Sequence, residues 1–282
     1  MPLPVVELAQ QAVGEIISVT DRSWPRENSA VWEITTATAR QYFVKRHPSP
    51  RFHKREVTAY QEIVPFLGGG RAAELIAADQ NLAAIVITGL PGAIVKGLSL
   101  SPSMDLEVYR QAGGLLRRIH SAPITVPDVR GIGRVVGRCE EHLRRADGLL
   151  SAREVAFVRA CATTLSVIEP RLSVTATHGD FMPRNFLWDR RTRRLALIDF
   201  ERSEPGPAVR DLIRLEYGSW DTRPELREAF LDGYDRPLSD DELQALTCLA
   251  ALDALSGLQW GTEHDDIEVT SRARATFARL MK

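Results

Sequence analysis

The sequence predicts an α+β fold of two lobes: a small β-rich N-terminal lobe over residues 1–88 and a larger, mainly helical lobe over residues 93–282, joined by a hinge at residues 89–92. Three observations carry this reading. Short runs rich in β-branched and aromatic residues gather before residue 90, and Gly89-Leu90-Pro91-Gly92 is the strongest punctuation in the chain. Beyond it, apolar residues recur mainly at three- and four-residue steps. A chain of 282 residues is long enough to fill two such lobes with core.

In chain order, VWEIT (Val31 to Thr35) and QYFVKRH (Gln41 to His47) are β-rich runs separated by the turn-sized stretch Thr36 to Arg40. They read as a hairpin with Lys45 near the end of its second strand. After His47-Pro48-Ser49-Pro50, the residues Phe52, Val57, Tyr60, Ile63 and Val64 form one helical face, which Pro65 closes, with Glu56 in the first half. Leu82 to Ile87 is a run short and apolar enough for a buried strand. Residues 105–120, 135–149 and 152–168 have helical spacing, and Glu140/Arg144 and Glu141/Arg145 pair at i,i+4 on a solvated face. Phe186 to Trp188 and Leu195 to Phe200 flank the turn DRRTRR and predict a second hairpin. From Asp211 onward the pattern is helical again, with Pro224 and Ser239 as start signals.

Composition excludes several classes of function. At 44% hydrophobic and 26% charged, the chain is neither disordered, collagen-like nor membrane-spanning. Lys and Arg number 36 against 37 Asp and Glu, so the cationic excess of a dedicated nucleic-acid binder is missing and no nucleic-acid partner is expected. Acids outnumber bases after Phe200, either as solvated helix faces, the ordinary use of such charge, or as a surface turned to a cationic ligand. Cys139, Cys161 and Cys248 are far apart and form no C-x-x-C pair, which signals neither a disulfide framework nor a zinc site and suits a reducing compartment. The N-terminus has no basic segment before an apolar one and carries Glu7, and the longest apolar run, Leu82 to Val95, is broken by Thr88, Gly89, Pro91 and Gly92. A cytoplasmic protein with no membrane partner is expected.

The dense chemical constellation is His178-Gly179-Asp180-Phe181-Met182-Pro183-Arg184-Asn185, followed by Ile198-Asp199-Phe200-Glu201 at the far end of the second hairpin. Two acids and an amide thus stand at the two ends of one hairpin. Phosphoryl transfer from a nucleotide needs such a set: a carboxylate at the attacking hydroxyl and oxygen ligands for magnesium on the phosphates. The spacing H-x-D-x-x-x-x-N, with an Asp after the hairpin, is the kinase catalytic-loop arrangement.

With these residues in place, the chain resembles the aminoglycoside phosphotransferase and choline kinase group of protein-kinase-like small-molecule kinases. HGDFMPRN resembles that group's HGDxxxxN loop, LIDFE its metal-binding strand, and Gly206-Pro207 with Asp211-Leu212 its G-x-P-x-x-DL tail; FVKRH, REVTAY, ITGLPG and LLRRIH follow its order along most of the chain. The resemblance implies a bilobal protein-kinase-like fold with ATP, or GTP, and Mg²⁺ between the lobes. It implies Asp180 as the catalytic base or hydroxyl-orienting carboxylate, Asn185 and Asp199 as magnesium ligands, and Lys45 on the α- and β-phosphates, held by Glu56. Thr88 to Leu90 would offer backbone bonds to adenine, and His178 and Asp211 would brace the catalytic loop.

Taken singly, several of these residues have plainer explanations. Lys45 is an ordinary strand-end lysine and Glu56 an exposed helix residue until their order ahead of the HGD loop is considered; Asp180, Asn185 and Asp199 could each cap a turn. Glu201 is either a metal or substrate contact or an ordinary polar residue, and His120 more readily steadies a helix end than catalyses. No glycine lies between Asp21 and Ala30, so Asn28 and Ser29 are the candidates for phosphate contact in place of a glycine-rich loop. Met182 stands where protein kinases carry a lysine aimed at the transferred phosphate; Arg184 either supplies that charge or pairs with an acid nearby.

The expected acceptor is a hydroxyl of a small molecule, of cationic type if the acids and aromatics of the C-terminal part face it. Tyr217, Trp220, Asp221, Tyr234, Asp235 and Trp260 are candidates there, and Glu263, His264, Asp265 and Asp266 form the most substrate-like segment, with helix packing as the alternative for the aromatics. An antibiotic modified for resistance (aminoglycoside, peptide or nucleoside) ranks first, and a metabolite such as choline, another amino alcohol or a sugar second. A nucleotide-binding regulator without turnover is the rival of another class, disfavoured because Lys45, Asp180, Asn185 and Asp199 are all present. A nucleic-acid binder using Arg190, Arg191, Arg193 and Arg194 ranks last. A monomer or homodimer is expected.

Overall fold

The structure, a computed structural model, describes residues 1–23, 29–124 and 131–282. The chain divides into two compact units, Met1–Met104 with His178–Glu204, and Asp105–Thr177 with Pro205–Lys282. The HGD loop and the hairpin after it therefore belong to the same unit as Lys45, and residues 89–92 lie inside that unit. Strand pairing explains why: the chain leaving that Gly-Pro stretch pairs directly with the second hairpin.

In the first unit, α1 (Leu3–Val13) is followed by β1 (Ile16–Asp21), β2 (Ala30–Thr36), β3 (Gln41–Arg46), α2 (Pro50–Glu62), β4 (Leu75–Asp79) and β5 (Ala84–Thr88). The five strands form one antiparallel sheet in the order β1-β2-β3-β5-β4. Alternation on β2 buries Trp32, Ile34 and Thr36 on one face, and Val44, Ala84 and Val86 join them under Val5 and Ala9 of α1. Lys45 is opposite Val31 on one side and Ile85 on the other, so the central strand of the sheet carries it.

The helix α2 starts where the sequence allows it to. Ser49 accepts the Phe52 N–H as N-cap and Pro50 occupies the first turn. It ends at Glu62, short of Pro65, which lies in a separate tight turn over Val64–Leu67. Its buried residues are His53, Glu56, Ala59 and Tyr60, a face polar enough to need partners. A second sheet joins β6 (Ala93–Ile94), β8 (Phe186–Asp189) and β9 (Arg194–Leu197) in the order β6-β8-β9, with Trp188 opposite Leu195. Both hairpins expected from the sequence are present; α1 and β1 were not anticipated.

The second unit is mainly helical. It contains α3 (Pro102–Ser121) from Asp105 onward, α4 (Gly131–Gly137), α5 (Cys139–Arg145), α6 (Ala152–Ile168), the short pair β7 (Val174–Thr175) and β10 (Gly206–Pro207), then α7 (Pro224–Tyr234), α8 (Asp240–Glu263) and α9 (Ile267–Leu280). The helix expected over 135–149 is two short ones, broken at Arg138, while that over 152–168 is found whole. Ser239 and Glu242 close a capping box at the start of α8, whose buried residues run nearly all round it, as suits a helix at the centre of a bundle. The three cysteines are free and buried. Among the described residues no helix is long and apolar enough to cross a membrane.

Helices α3 and α7 touch backbone to backbone. A Cβ added at Gly113 would collide with the Phe230 carbonyl, and one at Gly233 with the Arg110 carbonyl. Gly233→Ala is expected to force these helices apart and lower the unfolding free energy by about 2 kcal/mol or more. Chemical denaturation measures this, and an unchanged midpoint would show that the crossing has room to spare.

Candidate active site

Two segments of the first unit bring three carboxylates to the Lys45 ammonium. Its Nζ lies 2.8 Å from Glu56 Oε2, 2.6 Å from Asp199 Oδ1 and 2.9 Å from Glu201 Oε2. Lys45 and Glu56 are buried, whereas a third of the Asp199 side chain is exposed. Burial alone would pull the ammonium pKa down, but Asp199, Glu56 and Glu201 outweigh it and hold Lys45 well above its ordinary value. Burial likewise pushes Glu56 up, yet Lys45 and His47 bring it to about 2. Asp199 goes the other way: enclosure, reinforced by Glu201 and Glu56, raises it against the pull of Lys45. Glu201, opposed by burial, is held below its usual range by Lys45 and by the Ser29 hydroxyl, which donates to Glu201 Oε2 at 2.6 Å.

Each of these side chains has a local reason for its place. Lys45 on β3 and His47, one residue past its end, both reach Glu56 Oε2. Glu56 lies on the buried face of α2, and its Oε1 accepts the Phe200 N–H at 3.2 Å, which ties the helix to the segment after β9. Asp199 has φ of 67°, the left-handed region that a non-glycine residue enters only under constraint. Phe200 supplies the constraint: its ring packs 4.8 Å from His178 and 5.7 Å from Tyr60 of α2.

The HGD loop is built on the same aromatic wedge. His178 donates from Nε2 to the Ile198 carbonyl at 3.1 Å, and its ring lies 5.7 Å from Phe181, which in turn packs 4.7 Å from Phe186. Gly179 has φ of 78°, and a Cβ there would strike the Arg202 carbonyl, so no other residue fits without moving the loop. Asp180 and Asn185 are buried. Asn185 Nδ2 donates to the Asp180 carbonyl at 2.8 Å and to its Oδ2 at 2.9 Å, and Arg184 donates to the same Oδ2 at 2.7 Å. Arg184 therefore has an acidic neighbour, and that neighbour is Asp180 itself.

The residues singled out in the sequence fall into three groups. Lys45, Glu56, Asp199, Glu201 and Ser29 form one bonded cluster, and Asp180, Asn185, Arg184 and His178 form the adjoining loop in the same unit. Thr88 and Gly89 spend their N–H groups on the Glu74 and Gln41 carbonyls, and Asn28 lies outside the described residues. The third group sits in the second unit. Asp211 accepts from His120 Nε2 at 3.2 Å, while His120 Nδ1 is 2.7 Å from the Tyr234 hydroxyl. Asp221 pairs with Arg279 and Glu263 with Arg145, His264 stacks on Trp260 at 4.3 Å, and Asp266 caps α9. Asp265, at the exposed junction of α8 and α9, has φ of 52°. Trp220 is buried against Phe230 at 5.0 Å. His47 was missed; its place two residues after Lys45 was the available signal.

His47, Glu56 and Glu201 each offer a ligating atom within 4.8 Å of the others. The Lys45 ammonium already stands between the two carboxylates, so the cation of this group is the lysine. A divalent ion is better matched by Asp199 with Asn185, whose Nδ2 is spent on Asp180, leaving Oδ1 as a hard oxygen donor.

The family model described as "Phosphotransferase enzyme family" matches residues 19–252. The fold is similar to that of APH(2")-IIia in a complex with GDP and kanamycin, with a TM-score of 0.76 at 14% identity over 99% of both chains. It is also similar to choline kinase LicA from Streptococcus pneumoniae, with a TM-score of 0.66 at 18% identity over 98% of both chains. A choline/ethanolamine kinase family protein from Mesorhizobium loti gives 0.72 at 18% identity, over 99% of this chain and 92% of that one. No curated protein matches the chain. These likenesses establish the α+β, protein-kinase-like fold.

The Glu56 carboxylate generates a stability prediction. Its pKa falls from an ordinary 4.5 to about 2 on folding, so its contribution is present above the unfolded value and lost as pH falls towards the folded one. The shift corresponds to stabilisation on the order of 3 kcal/mol. Glu56→Gln is expected to lower the unfolding free energy at neutral pH by about that amount, with the gap to wild type closing at about pH 2 to 3. Denaturant titrations at both pH values measure it; a gap of constant size would assign the loss to packing.

Proposed function

We propose, from the premise that this chain belongs to the phosphotransferase enzyme family, that it moves the γ-phosphoryl group of ATP to a hydroxyl of a small cationic molecule. The observation that carries this reading is the gathering of Lys45, Glu56 and Asp199 beside Asp180 and Asn185 in one compact unit. Asp180 orients the acceptor hydroxyl and takes its proton as the oxygen bonds to the γ-phosphorus and the bond to the leaving β-phosphate oxygen breaks. Two donors on Asp180 Oδ2 fix that carboxylate and spread its charge, which favours orientation over strong basicity.

Asp199 and Asn185 would hold Mg²⁺, which when bound neutralises charge on the phosphates. Lys45 turns from Asp199 to the α- and β-phosphates, and Arg184, half-exposed beside Asp180, supplies the positive charge that Met182 lacks. Ser29 steadies Glu201, and the base is read at Leu90, since the Thr88 and Gly89 amides are already bonded. GTP stands as the alternative donor. The residues of the acceptor site are sought in the second unit, with Asp221, Glu263, His264 and Asp265 as candidates and Asp211 and Asp266 in supporting positions.

An aminoglycoside antibiotic is the first acceptor to test, and an amino alcohol such as choline the second. Kanamycin in one similar structure and the choline kinases among the others support both. A coupled ADP-release assay should run ATP and GTP with Mg²⁺ against aminoglycosides, peptide and nucleoside antibiotics, choline, ethanolamine and sugars. The expected result is turnover on one class, reduced about 100-fold or more by Asp180→Ala, with nucleotide binding retained. Near wild-type turnover in that variant would overturn the assignment of Asp180, and nucleotide binding without transfer to any acceptor would favour a regulator.

A further inference from the structure

The Glu56 carboxylate is shared. Its Oε2 lies 2.8 Å from Lys45 Nζ and 2.6 Å from His47 Nε2, with all three side chains buried. His47 is itself pinned: its backbone N–H donates to the Ala83 carbonyl at 2.8 Å, and its Nδ1 lies 3.0 Å from the same oxygen. Ala83 has φ of 49°, so a tight turn before β5 presents that carbonyl. The His53 ring of α2 closes the pocket edge-on at 5.5 Å and donates from Nε2 to the Ala84 carbonyl at 3.2 Å. The charged and titratable groups around His47 are thus Glu56 and His53 from α2, Lys45 from β3, and Glu201, whose carboxylate comes within 4.8 Å. The two ring nitrogens face one oxygen of the Glu56 carboxylate and one backbone carbonyl oxygen.

Lys45 and His47 differ in what else they hold. Lys45 divides its charge among Glu56, Asp199 and Glu201. His47 hydrogen-bonds one acid, Glu56, and its other nitrogen faces a backbone carbonyl, while Glu201 stays within 4.8 Å. If Lys45 exchanges Asp199 for nucleotide phosphates, as the proposed function requires, its hold on Glu56 is diluted at that moment. Loss of Glu56 would release both α2 and the Phe200 amide that Glu56 Oε1 accepts.

We propose that His47 is a positioning residue that holds Glu56, and through it α2 and the segment after Asp199, while Lys45 changes partners. The inference rests on reading this site as a nucleotide-phosphotransfer centre. It also accounts for an imidazole buried beside an ion pair that already has enough charge to stand without it.

Calorimetric titration with ATP and Mg²⁺ tests the inference without knowledge of the acceptor. A charged hydrogen bond of this kind sets the scale, so His47→Ala is expected to weaken ATP binding about tenfold or more while still unfolding cooperatively. His47→Gln keeps an amide donor towards Glu56 and should recover to within about threefold of wild type. ATP affinity in His47→Ala within about twofold of wild type, or a His47→Gln variant as weak as His47→Ala, would each overturn the proposal. Wild-type protein that does not bind ATP would instead overturn the proposed function on which it rests.

Discussion

The first unit is organised around one buried ammonium. An unpaired lysine at the position of Lys45 would lose several kcal/mol of solvation, and the central strand of a five-stranded sheet gives it no route to water. The fold answers with carboxylates from α2 and from the segment after β9, and these contacts fix how both segments lie against the sheet. The answer overshoots: three acids surround one lysine. The raised pKa of Asp199, caused first by enclosure and then by Glu201 and Glu56, is the trace of that excess. A site with surplus buried negative charge and one third-exposed carboxylate favours a further cation, which is the electrostatic argument behind the proposed magnesium role of Asp199.

A second constraint is steric. Gly179 must lie against the Arg202 carbonyl and Asp199 must hold a left-handed backbone. Neither is a low-energy choice for an isolated loop, and such residues persist only where surrounding structure over-determines them. Here the stack of His178, Phe181, Phe186, Phe200 and Tyr60 does so, clamping the two ends of the hairpin and α2 into one packed body. The hydrophobic residues of the HGDF and DFE motifs are therefore as necessary to the site as its acids.

The site was legible in the sequence where the chemistry needs fixed spacing. Lys45, Glu56, Asp180, Asn185 and Asp199 stand in an order that ordinary caps and surface charges do not reproduce. Contacts between segments were not legible: Ser29 with Glu201 and His47 on Glu56 depend on how β3, α2 and the hairpin meet, whereas Arg184, four residues from Asp180, was open to pairing with a nearby acid. Fold elements failed for local reasons. β1 is an edge strand with exposed Ile17 and Val19, which leaves no half-buried alternation to detect, and the pattern over 135–149 is helical on both sides of a break that periodicity does not reveal. In the stretch from Glu263 to Asp266, residue type alone did not reveal that Glu263 pairs with an arginine and Asp266 caps a helix.

That last point bears on the choice among acceptors. The acidic excess after Phe200 is not a bare anionic surface, since Glu263 is bound to Arg145 and Asp221 to Arg279. These pairs are partly exposed, and such pairs are worth only about 0–1 kcal/mol each. A ligand bearing one ammonium group would gain little by replacing one arginine, because it exchanges one weak pair for another. A ligand bearing several ammonium groups on a rigid frame replaces several pairs while losing its translational freedom only once. Electrostatics of this kind ranks a polycationic alcohol such as an aminoglycoside above choline, and it does so through the number and spacing of charges on the acceptor, with no acid in the second unit needing to stand unpaired.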